Sequence, residues 1–139
     1  MKIVLDRGDF PAMMPVRGYP TDAGLDLLSP IDIIVKPRSS VVIDTGVHVE
    51  IPDGCCGFLR SKSGLMVHHD ITSDGTIDWG YNGSIRVKLF NHGEIPYPIH
   101  RGDKITQLVI VRIEIPNIEI ADRLEKRERG NNGFGSTGK

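Results

Sequence analysis

The sequence predicts an all-β, jelly-roll-like closed architecture with at most one short helix and a flexible C-terminal arm. Glycine and proline, 16 and 9 of the 139 residues, interrupt the chain every ten residues or so, which favours short strands joined by turns. No amphipathic helical segments separate the candidate strands, so parallel βαβ units are not expected. Many short, regularly spaced strands are typical of jelly rolls and other closed β folds.

Four apolar segments are the main strand candidates. The first, Ile31–Val35, stops at Lys36-Pro37, and the second, Val41–Ile51, is bent around Gly46 and ended by Pro52-Asp53-Gly54. Ile85–Phe90 alternates apolar and other side chains, as a half-buried strand should. Ile105–Ile115 is rich in apolar residues and ends before Pro116.

Local signals also predict one hairpin and one helix. Asn82-Gly83 lies between two strand candidates, and Asn-Gly favours the type I′ turn of a tight hairpin because both residues tolerate positive φ angles. Ser63–His69 is the only segment that could form a brief helix, of about two turns.

Composition excludes several classes of function. The formal net charge is −1, so no overall field favours nucleic acid or membrane surfaces, although a local cationic patch is still compatible with it. No apolar run reaches the roughly 18 residues that span a bilayer, and charge interrupts the N-terminus too early for a signal peptide. The only cysteines, Cys55 and Cys56, are adjacent and would point to opposite faces of a strand. We therefore expect a reduced, cytoplasmic protein; the alternative, a redox pair, lacks a C-x-x-C pattern.

Two carboxylates are candidates for chemistry. Asp26 lies in the apolar stretch Ala23–Leu27 and is either a turn or strand-edge aspartate or a ligand for a hard cation, directly or through water. Asp78 lies with Tyr81 on the arm of the predicted hairpin, where both could reach one pocket rim. The alternative there is an exposed aspartate and a core tyrosine.

Cationic and amide side chains define further candidates. Arg60–Leu65 combines two cations, two serines and a glycine before the predicted helix, an arrangement that suits an anion site or simple N-capping by a serine. Gln107 follows the turn Gly102-Asp103-Lys104, and as a buried amide it needs partners in a core network or a ligand. His68-His69-Asp70 is read as structural or surface rather than metal-binding, because adjacent histidines rarely converge on one ion.

The C-terminal segment differs from the rest of the chain. Arg123–Arg129 is highly charged, and Gly130, Gly133, Gly135 and Gly138 follow it. Such a segment buries too little apolar surface to order itself. It is either a frayed terminus or a phosphate-binding loop, because glycines allow backbone N–H groups to converge on phosphate oxygens.

In order along the chain, five segments resemble the five motifs of the trimeric dUTPases. They are AGLDL (23–27), RSKSGL (60–65), GTIDWGY (75–81), GDKITQLV (102–109) and RGNNGFGSTG (129–138). The resemblance runs from about residue 20 to the end, and the third and fifth motifs are the most specific. It implies a jelly-roll-like β-clip barrel over residues 1–122 and a C-terminal arm with a glycine-rich nucleotide lid over residues 123–139.

The resemblance also implies a role for each matching residue. Asp78 matches the aspartate that activates the attacking water, and Asp26 the aspartate that holds Mg²⁺ through water. Tyr81 matches the tyrosine under the deoxyribose. The other matches are contacts to uracil (Thr72, Ile77, Arg86, Phe134) and to the phosphates (Lys62, Ser63, Gly64, Gln107, Arg129, Gly135, Ser136, Thr137).

Two of these positions depart from the family pattern. Many members have arginine where Lys62 stands, and Arg60 lies two residues earlier, so either cation could fill that role; lysine supplies charge but no bidentate fork. Many members also have an asparagine at about the position of Thr72.

The implied reaction is Mg²⁺-dependent hydrolysis of dUTP to dUMP and pyrophosphate, which limits uracil incorporation into DNA and supplies dUMP for thymidylate synthesis. The resemblance further implies a homotrimer with sites at subunit interfaces and no direct DNA or membrane binding. A regulatory protein partner is left open. The alternatives are a dCTP deaminase, which would need an acid/base residue beside the base edge, and a non-enzymatic nucleotide-binding protein.

Overall fold

The computed structural model describes residues 1–132, which form ten strands and one helix. The elements are β1 (Ile3–Leu5), β2 (Gly24–Leu28), β3 (Ile33–Val35), β4 (Ser39–Asp44), β5 (Val47–Val49), β6 (Cys55–Arg60), α1 (Ser63–His69), β7 (Ile71–Ile77), β8 (Arg86–Asn91), β9 (Tyr97–Ile99) and β10 (Lys104–Arg112). The predicted all-β class with one short helix is confirmed.

The strands form one large sheet and two small ones. The large sheet has the order β2-β10-β6-β7-β8-β4, and the pairs β1-β5 and β3-β9 flank it. Every pairing is antiparallel, as the absence of βαβ signals predicts. The large sheet curls around its inner face in the manner of a jelly roll, so the predicted architecture is confirmed.

The core lies on the inner face of the curled sheet. Alternation along β8 shows how the sequence places it: Val87 and Leu89 are fully buried, whereas Lys88 and Phe90 face outward. The fully buried apolar side chains come from most of the elements; the largest are Leu27, Ile43, Ile71, Ile85, Leu89, Ile99, Ile105 and Leu108. Because they come from segments far apart in sequence, their burial fixes the curvature that positions the surface loops.

The predicted strands are present with small differences at their ends. The stretch Val41–Ile51 is divided into β4 and β5 at Gly46, whose φ of 65° belongs to the left-handed region that favours glycine. The predicted strand to Ile115 ends earlier, at Arg112. Beyond it, the Ile113 N–H still donates to the Gly54 carbonyl (2.9 Å), after which the chain leaves the sheet.

The predicted tight turn at Asn82-Gly83 is wrong. Neither residue has a positive φ, which a type I′ turn requires at both central positions. Strands β7 and β8 pair only at the ends farthest from the connecting loop, where residues 71–73 pair with residues 89–91. Beyond that point β7 continues along β6, β8 continues along β4, and residues 78–85 form a wide loop between them.

The helix is confirmed, but capping by a serine is not. The N-cap of α1 is Lys62, and no side chain caps the helix. Ser61 instead joins β7, where its hydroxyl donates to the Ser73 carbonyl and accepts from the Ser73 N–H, both at 2.9 Å. At the other end Asp70 ends the helix with a φ of 55°, and the His69 ring lies 4.7 Å from that of Tyr97.

Residues 113–132 contain no strand or helix. Of their large apolar side chains, Ile113 is half-buried, and Ile115, Ile118, Ile120 and Leu124 are exposed. The predicted boundary between core and arm at residue 122 stays a prediction, although regular structure ends ten residues earlier, at Arg112. Cys55 and Cys56 are unpaired. Among residues 1–132, no helix combines the length and the apolar character needed to cross a membrane.

Candidate active site

Asp26 is the centre of a charged cluster at one edge of the large sheet. The Lys62 ammonium donates to Asp26 Oδ1 at 2.6 Å, and the Lys104 ammonium lies 2.9 Å from Asp26 Oδ2. Only 7% of the Asp26 side chain is exposed, so this carboxylate is both buried and paired. We call Asp26, Lys62, Lys104 and Gln107 the Asp26 cluster.

The sheet register brings these side chains together. Gln107 on β10 is opposite Asp26 on β2 and opposite Arg60 on β6. Lys62 follows the end of β6 at the N-cap of α1 and reaches back across this row. A register shift between Lys104 and Thr106 interrupts the alternation at the start of β10, and irregularities of this kind re-aim side chains. Lys104 therefore reaches Asp26 although it pairs with Leu28.

The two lysines control the ionisation of Asp26. Burial alone would raise the pKa of its carboxyl, but the hydrogen bonds and positive charges of Lys62 and Lys104 outweigh burial and lower the pKa below its ordinary value of 3.8. The cluster carries one negative and two positive charges, so it has a net positive charge when Asp26 is ionised. Such a cluster attracts anions.

Replacing Asp26 with asparagine is expected to reduce stability in a pH-dependent way. The pKa of Asp26 is lower in the folded state than in the unfolded state, so its contribution is present above the unfolded value of about 4 and is lost as the pH falls through the folded value. The difference in free energy of unfolding between the wild type and Asp26→Asn should therefore shrink below about pH 4. Urea unfolding between about pH 3 and about pH 7 measures it, and a constant difference would contradict the prediction.

Gln107 lies directly over Gly24. A Cβ added at Gly24 would stand 2.3 Å from Gln107 Oε1 and 3.0 Å from Gln107 Cβ, so the absence of a side chain at Gly24 makes room for the amide. Gln107 Nε2 donates to the Ser61 carbonyl at 3.2 Å. The predicted buried amide therefore has a partner and stands beside Asp26 rather than in the core.

Of the two cations in the second motif, Lys62 joins the Asp26 cluster. Arg60 is the last residue of β6, and its guanidinium lies 3.6 Å from Asp74 on β7, with 64% of the side chain exposed. Ser63 and Gly64, the first two residues of α1, are exposed beside Lys62. A Cβ at Gly64 would meet nothing within 4 Å, so the space next to the cluster is open.

Asp78 and Tyr81 lie on the 78–85 loop. The Tyr81 N–H donates to the Asp78 carbonyl at 3.1 Å, closing a turn in which Gly80 takes a φ of 86°. The Tyr81 hydroxyl donates to the Ser84 carbonyl at 3.0 Å. A Cβ at Gly83 would stand 2.3 Å from the Tyr81 hydroxyl oxygen and 3.0 Å from Tyr81 Cε2, so the ring lies against Gly83. Asp78 is exposed, which leaves its carboxylate free to meet solvent or a ligand.

The C-terminal half of the loop is attached to the corner between β4 and β5. The Ile85 N–H donates to the Val47 carbonyl (2.8 Å), and the Ile85 carbonyl accepts from the Thr45 hydroxyl (2.7 Å). Asp44 accepts hydrogen bonds from the Ser84 hydroxyl and, at 3.3 Å, from Arg86 Nε. Burial would raise the pKa of Asp44, but bonds from Ser84, the Gly46 N–H and Arg86 lower it. Arg86 is therefore engaged within the chain at the start of β8.

The structure brings the predicted residues into two groups, not one. β2 and β7 are three strand positions apart in the large sheet. Through the strand register, Asp26 lies level with Arg60 on β6, and Asp78 lies level with Cys56, four residues away along that strand. With about 4.8 Å per strand and about 3.3 Å per residue, the Asp26 cluster and Asp78 are roughly 15–20 Å apart in one chain. Thr72 belongs to neither group: it lies at the other end of β7 from Ile77 and Asp78, with its hydroxyl 2.7 Å from His92 Nε2.

The C-terminal candidates are only partly described. Arg129 is exposed, and its Nε donates to the Asn132 carbonyl at 3.1 Å. Phe134, Gly135, Ser136 and Thr137 lie outside the described residues. Sequence reasoning missed Lys104, because a lysine after Gly102-Asp103 resembles an ordinary turn residue. Its one signal is its place at the start of the strand that carries Gln107.

Comparisons with known proteins agree with this geometry. The family model described as dUTPase matches residues 11–138. The deoxyuridine 5'-triphosphate nucleotidohydrolase of Clostridium tetani is 41% identical over 142 residues, covering 100% of this chain and 97% of the relative. That of Mus musculus is 40% identical over 129 residues, covering 92% and 80%.

Solved structures show the same similarity. The dUTPase of Staphylococcus bacteriophage 80alpha, solved with dUPNHPP, superposes with a TM-score of 0.91 at 32% identity, covering 99% of this chain and 97% of that one. A variant dUTPase of phage phi11 of S. aureus, with a structural Mg(II) ion, has a TM-score of 0.80 at 30% identity, covering 88% and 96%. The motifs, the fold and these similarities together show that the chain belongs to the dUTPase family.

Proposed function

We propose that this protein hydrolyses dUTP to dUMP and pyrophosphate, with the roles that its dUTPase-like motifs imply. The observation that carries the proposal is the match of the family model to residues 11–138, a range that contains both the Asp26 cluster and the 78–85 loop. The reaction would limit uracil incorporation into DNA and supply dUMP for thymidylate synthesis. We expect it in the cytoplasm, since Cys55 and Cys56 are unpaired.

The Asp26 cluster suits the triphosphate. Lys62 and Lys104 carry two positive charges beside an open surface, and Gln107 adds an amide next to them. The residues Ser63 and Gly64 offer backbone N–H groups and space at the start of α1. We propose that Lys62, Ser63, Gly64 and Gln107 contact the phosphates, and that Lys104 contributes charge to the same site.

The donor set fits magnesium only together with the substrate. Within residues 1–132, no group of three or more His, Cys, Asp or Glu side chains could hold a metal ion. Mg²⁺ commonly binds through one or two carboxylates, substrate phosphates and waters, and Asp26 is a single carboxylate beside a proposed triphosphate site. When bound, the ion offsets phosphate charge. Lys62 and Lys104, which hold Asp26 in the free protein, can turn to the phosphates and leave Asp26 for ion-bound water.

The 78–85 loop suits the nucleoside and the attacking water. Asp78 would align a water molecule and take its proton as the oxygen bonds to the α-phosphorus and the bond to the pyrophosphate oxygen breaks. The ring of Tyr81, which lies against Gly83, would lie under the deoxyribose and leave no room for a 2′-hydroxyl. Backbone groups at Ile77 and near Arg86 would read uracil. Thr72 stays a prediction for a contact to uracil.

The C-terminal residues would complete the site. Arg129 would meet the terminal phosphate, Phe134 would stack on uracil, and Gly135, Ser136 and Thr137 would cradle the phosphates. Closure of this segment would exclude water and stabilise the leaving pyrophosphate.

We further propose that each site is shared between copies of the chain in a homotrimer. A dUTP molecule must contact the groups that bind phosphate and the groups that bind the nucleoside at once. The Asp26 cluster and Asp78 are too far apart in one chain for that, so one copy would supply the cluster and a neighbour the loop. Direct DNA or membrane binding is not expected, and a regulatory protein partner stays a prediction.

The direct test is incubation of the purified protein with dUTP, dCTP, dTTP and UTP, with and without Mg²⁺, while pyrophosphate and ammonia are measured. Magnesium-dependent pyrophosphate from dUTP, with little from the other nucleotides, is expected because directional hydrogen bonds reject mismatched bases. Ammonia from dCTP without pyrophosphate from dUTP would overturn the proposal in favour of a deaminase. Absence of both products would favour a non-enzymatic protein.

Replacing Gly24 with alanine is expected to lower kcat/KM for dUTP by about tenfold to a hundredfold, because a Cβ there displaces Gln107 and removes one hydrogen bond to a charged phosphate. Steady-state kinetics with Mg²⁺ measures the effect. The matched control is Gly8→Ala, since a Cβ at Gly8 meets nothing within 4 Å. Normal kinetics in Gly24→Ala would show that the present position of the Gln107 amide is not required for activity.

A further inference from the structure

His48 connects the 78–85 loop to the end of β1. Its Nδ1 lies 2.8 Å from the Asn82 carbonyl oxygen, and its Nε2 lies 3.2 Å from Asp6 Oδ1. His48 is on β5, and 27% of its side chain is exposed. Within residues 1–132, this is the one hydrogen bond that joins residues 78–83, the part of the loop that carries Asp78 and Tyr81, to another element.

Both ring nitrogens of His48 face acceptors. A backbone carbonyl and a carboxylate can only accept, so both contacts are hydrogen bonds only when the ring carries two protons. In either neutral tautomer, one nitrogen lone pair faces an oxygen lone pair. Loss of one proton therefore breaks the connection at Asn82 or at Asp6.

The surrounding charges favour the imidazolium. The bond to the Asn82 carbonyl, and then the charges of Asp6 and Asp44, raise the pKa of His48 above its ordinary value of 6.5, against the lowering effect of burial. Lys2 and Glu50 line the same groove as His48 and pair with each other at 3.3 Å, and Asp44 pairs with Arg86 at 3.3 Å. Since the folded-state pKa is raised, the contact is complete at low pH and is lost as the pH rises through that value.

We propose that His48 is a positioning residue for dUTP binding: as an imidazolium it fixes the loop of Asp78 and Tyr81 against Asp6, and deprotonation breaks that connection at one of its two ends, which loosens the loop. The expected effect on dUTP binding rests on the proposed function, whereas the contact of His48 with Asn82 and Asp6 does not. A loop that is already ordered loses less conformational entropy when dUTP binds. Bound dUTP orders the loop whether His48 is protonated or not. The effect therefore falls on KM rather than kcat, by about threefold to tenfold for one partly exposed charged hydrogen bond.

Trp79 reports on the loop without any substrate. It is the only tryptophan, it lies within the loop, and 58% of it is exposed. Acrylamide quenching of ligand-free wild type, from about pH 6 to about pH 9, should increase in one step whose midpoint exceeds the ordinary histidine value of about 6.5. His48→Gln should show no step, and Asp6→Asn should show a step at lower pH. The matched control, His100→Gln, changes an exposed histidine paired with Asp103 and should behave as wild type.

Two results would overturn the contact. One is wild-type quenching that does not change with pH. The other is a step that persists in His48→Gln, which would then belong to the α-amino group of Met1, because Met1 lines the same surface cleft as Trp79. A midpoint in Asp6→Asn equal to that of the wild type would also count against the link to Asp6.

Kinetics test the consequence separately. KM for Mg-dUTP should rise with pH in the wild type relative to His48→Gln, with kcat nearly equal in the two proteins. Equal pH profiles of KM, with turnover present, would overturn the positioning role and leave the dUTPase function intact. If no nucleotide is hydrolysed at any pH, the proposed function fails, while the quenching result still decides whether His48 holds the loop.

Discussion

Replacing Asp78 with asparagine is expected to lower kcat for dUTP by about 10²–10⁴-fold, the usual contribution of a general base. Asparagine keeps the size and the hydrogen-bonding reach of the side chain but cannot take a proton from water. The backbone turn that presents Asp78 is built from the Tyr81 N–H, the Asp78 carbonyl and Gly80, and the substitution leaves it unchanged. Binding of dUTP should therefore persist.

The two effects are measured separately. Steady-state turnover in Mg²⁺ gives kcat, and quenching of Trp79 by the imido analogue of dUTP gives the dissociation constant without hydrolysis. The matched control is Asp74→Asn, because Asp74 is an exposed aspartate on β7, four residues before Asp78, and is paired with Arg60; this variant should retain turnover. Near-normal kcat in Asp78→Asn would refute the base, and loss of analogue binding would show that the carboxylate serves to bind.

The sequence predicts the fold well because the fold depends on local patterns. Alternation in Ile85–Phe90 and the bend at Gly46 are local properties, and both are confirmed. The turn at Asn82-Gly83 fails for a non-local reason. The distal half of β7 pairs with β6, and that of β8 pairs with β4, so tertiary pairing separates the two strands that Asn-Gly would otherwise join.

The site is harder to predict because its contacts are long-range. Lys62 and Asp26 are 36 residues apart. The strand register places Arg60, not Lys62, in the row of Asp26, and only the side-chain contacts show that Lys62 reaches the carboxylate while Arg60 turns to Asp74. The same holds for Lys104, which depends on an irregularity in strand pairing, and for His48, whose two partners, Asp6 and Asn82, lie 42 and 34 residues away. The motifs identify which residues belong to the site, but not which of them meet within one chain.

That separation makes complementation between two inactive variants a decisive test of the shared site. One variant, Lys62→Met with Gln107→Leu, disables the Asp26 cluster, and the other, Asp78→Asn, disables the loop. If each site takes its cluster from one copy and its loop from the next, a mixed assembly contains a site in which both parts are intact. If a site lies within one chain, every site in the mixture has one disabled part.

The recovered activity also counts the subunits. In a trimer that contains both variants, only one of the three sites combines an intact cluster from one copy with an intact loop from the next. About one third of wild-type activity should therefore return. In a dimer, one of the two sites would be intact, and about one half would return. Co-expression with two different affinity tags and sequential purification isolates the mixed species. Two differently tagged copies of the same variant serve as the control and should stay inactive. No recovery in a verified mixed assembly would place each site within a single chain, and the roughly 15–20 Å between Asp26 and Asp78 would then have to close by a movement of the 78–85 loop.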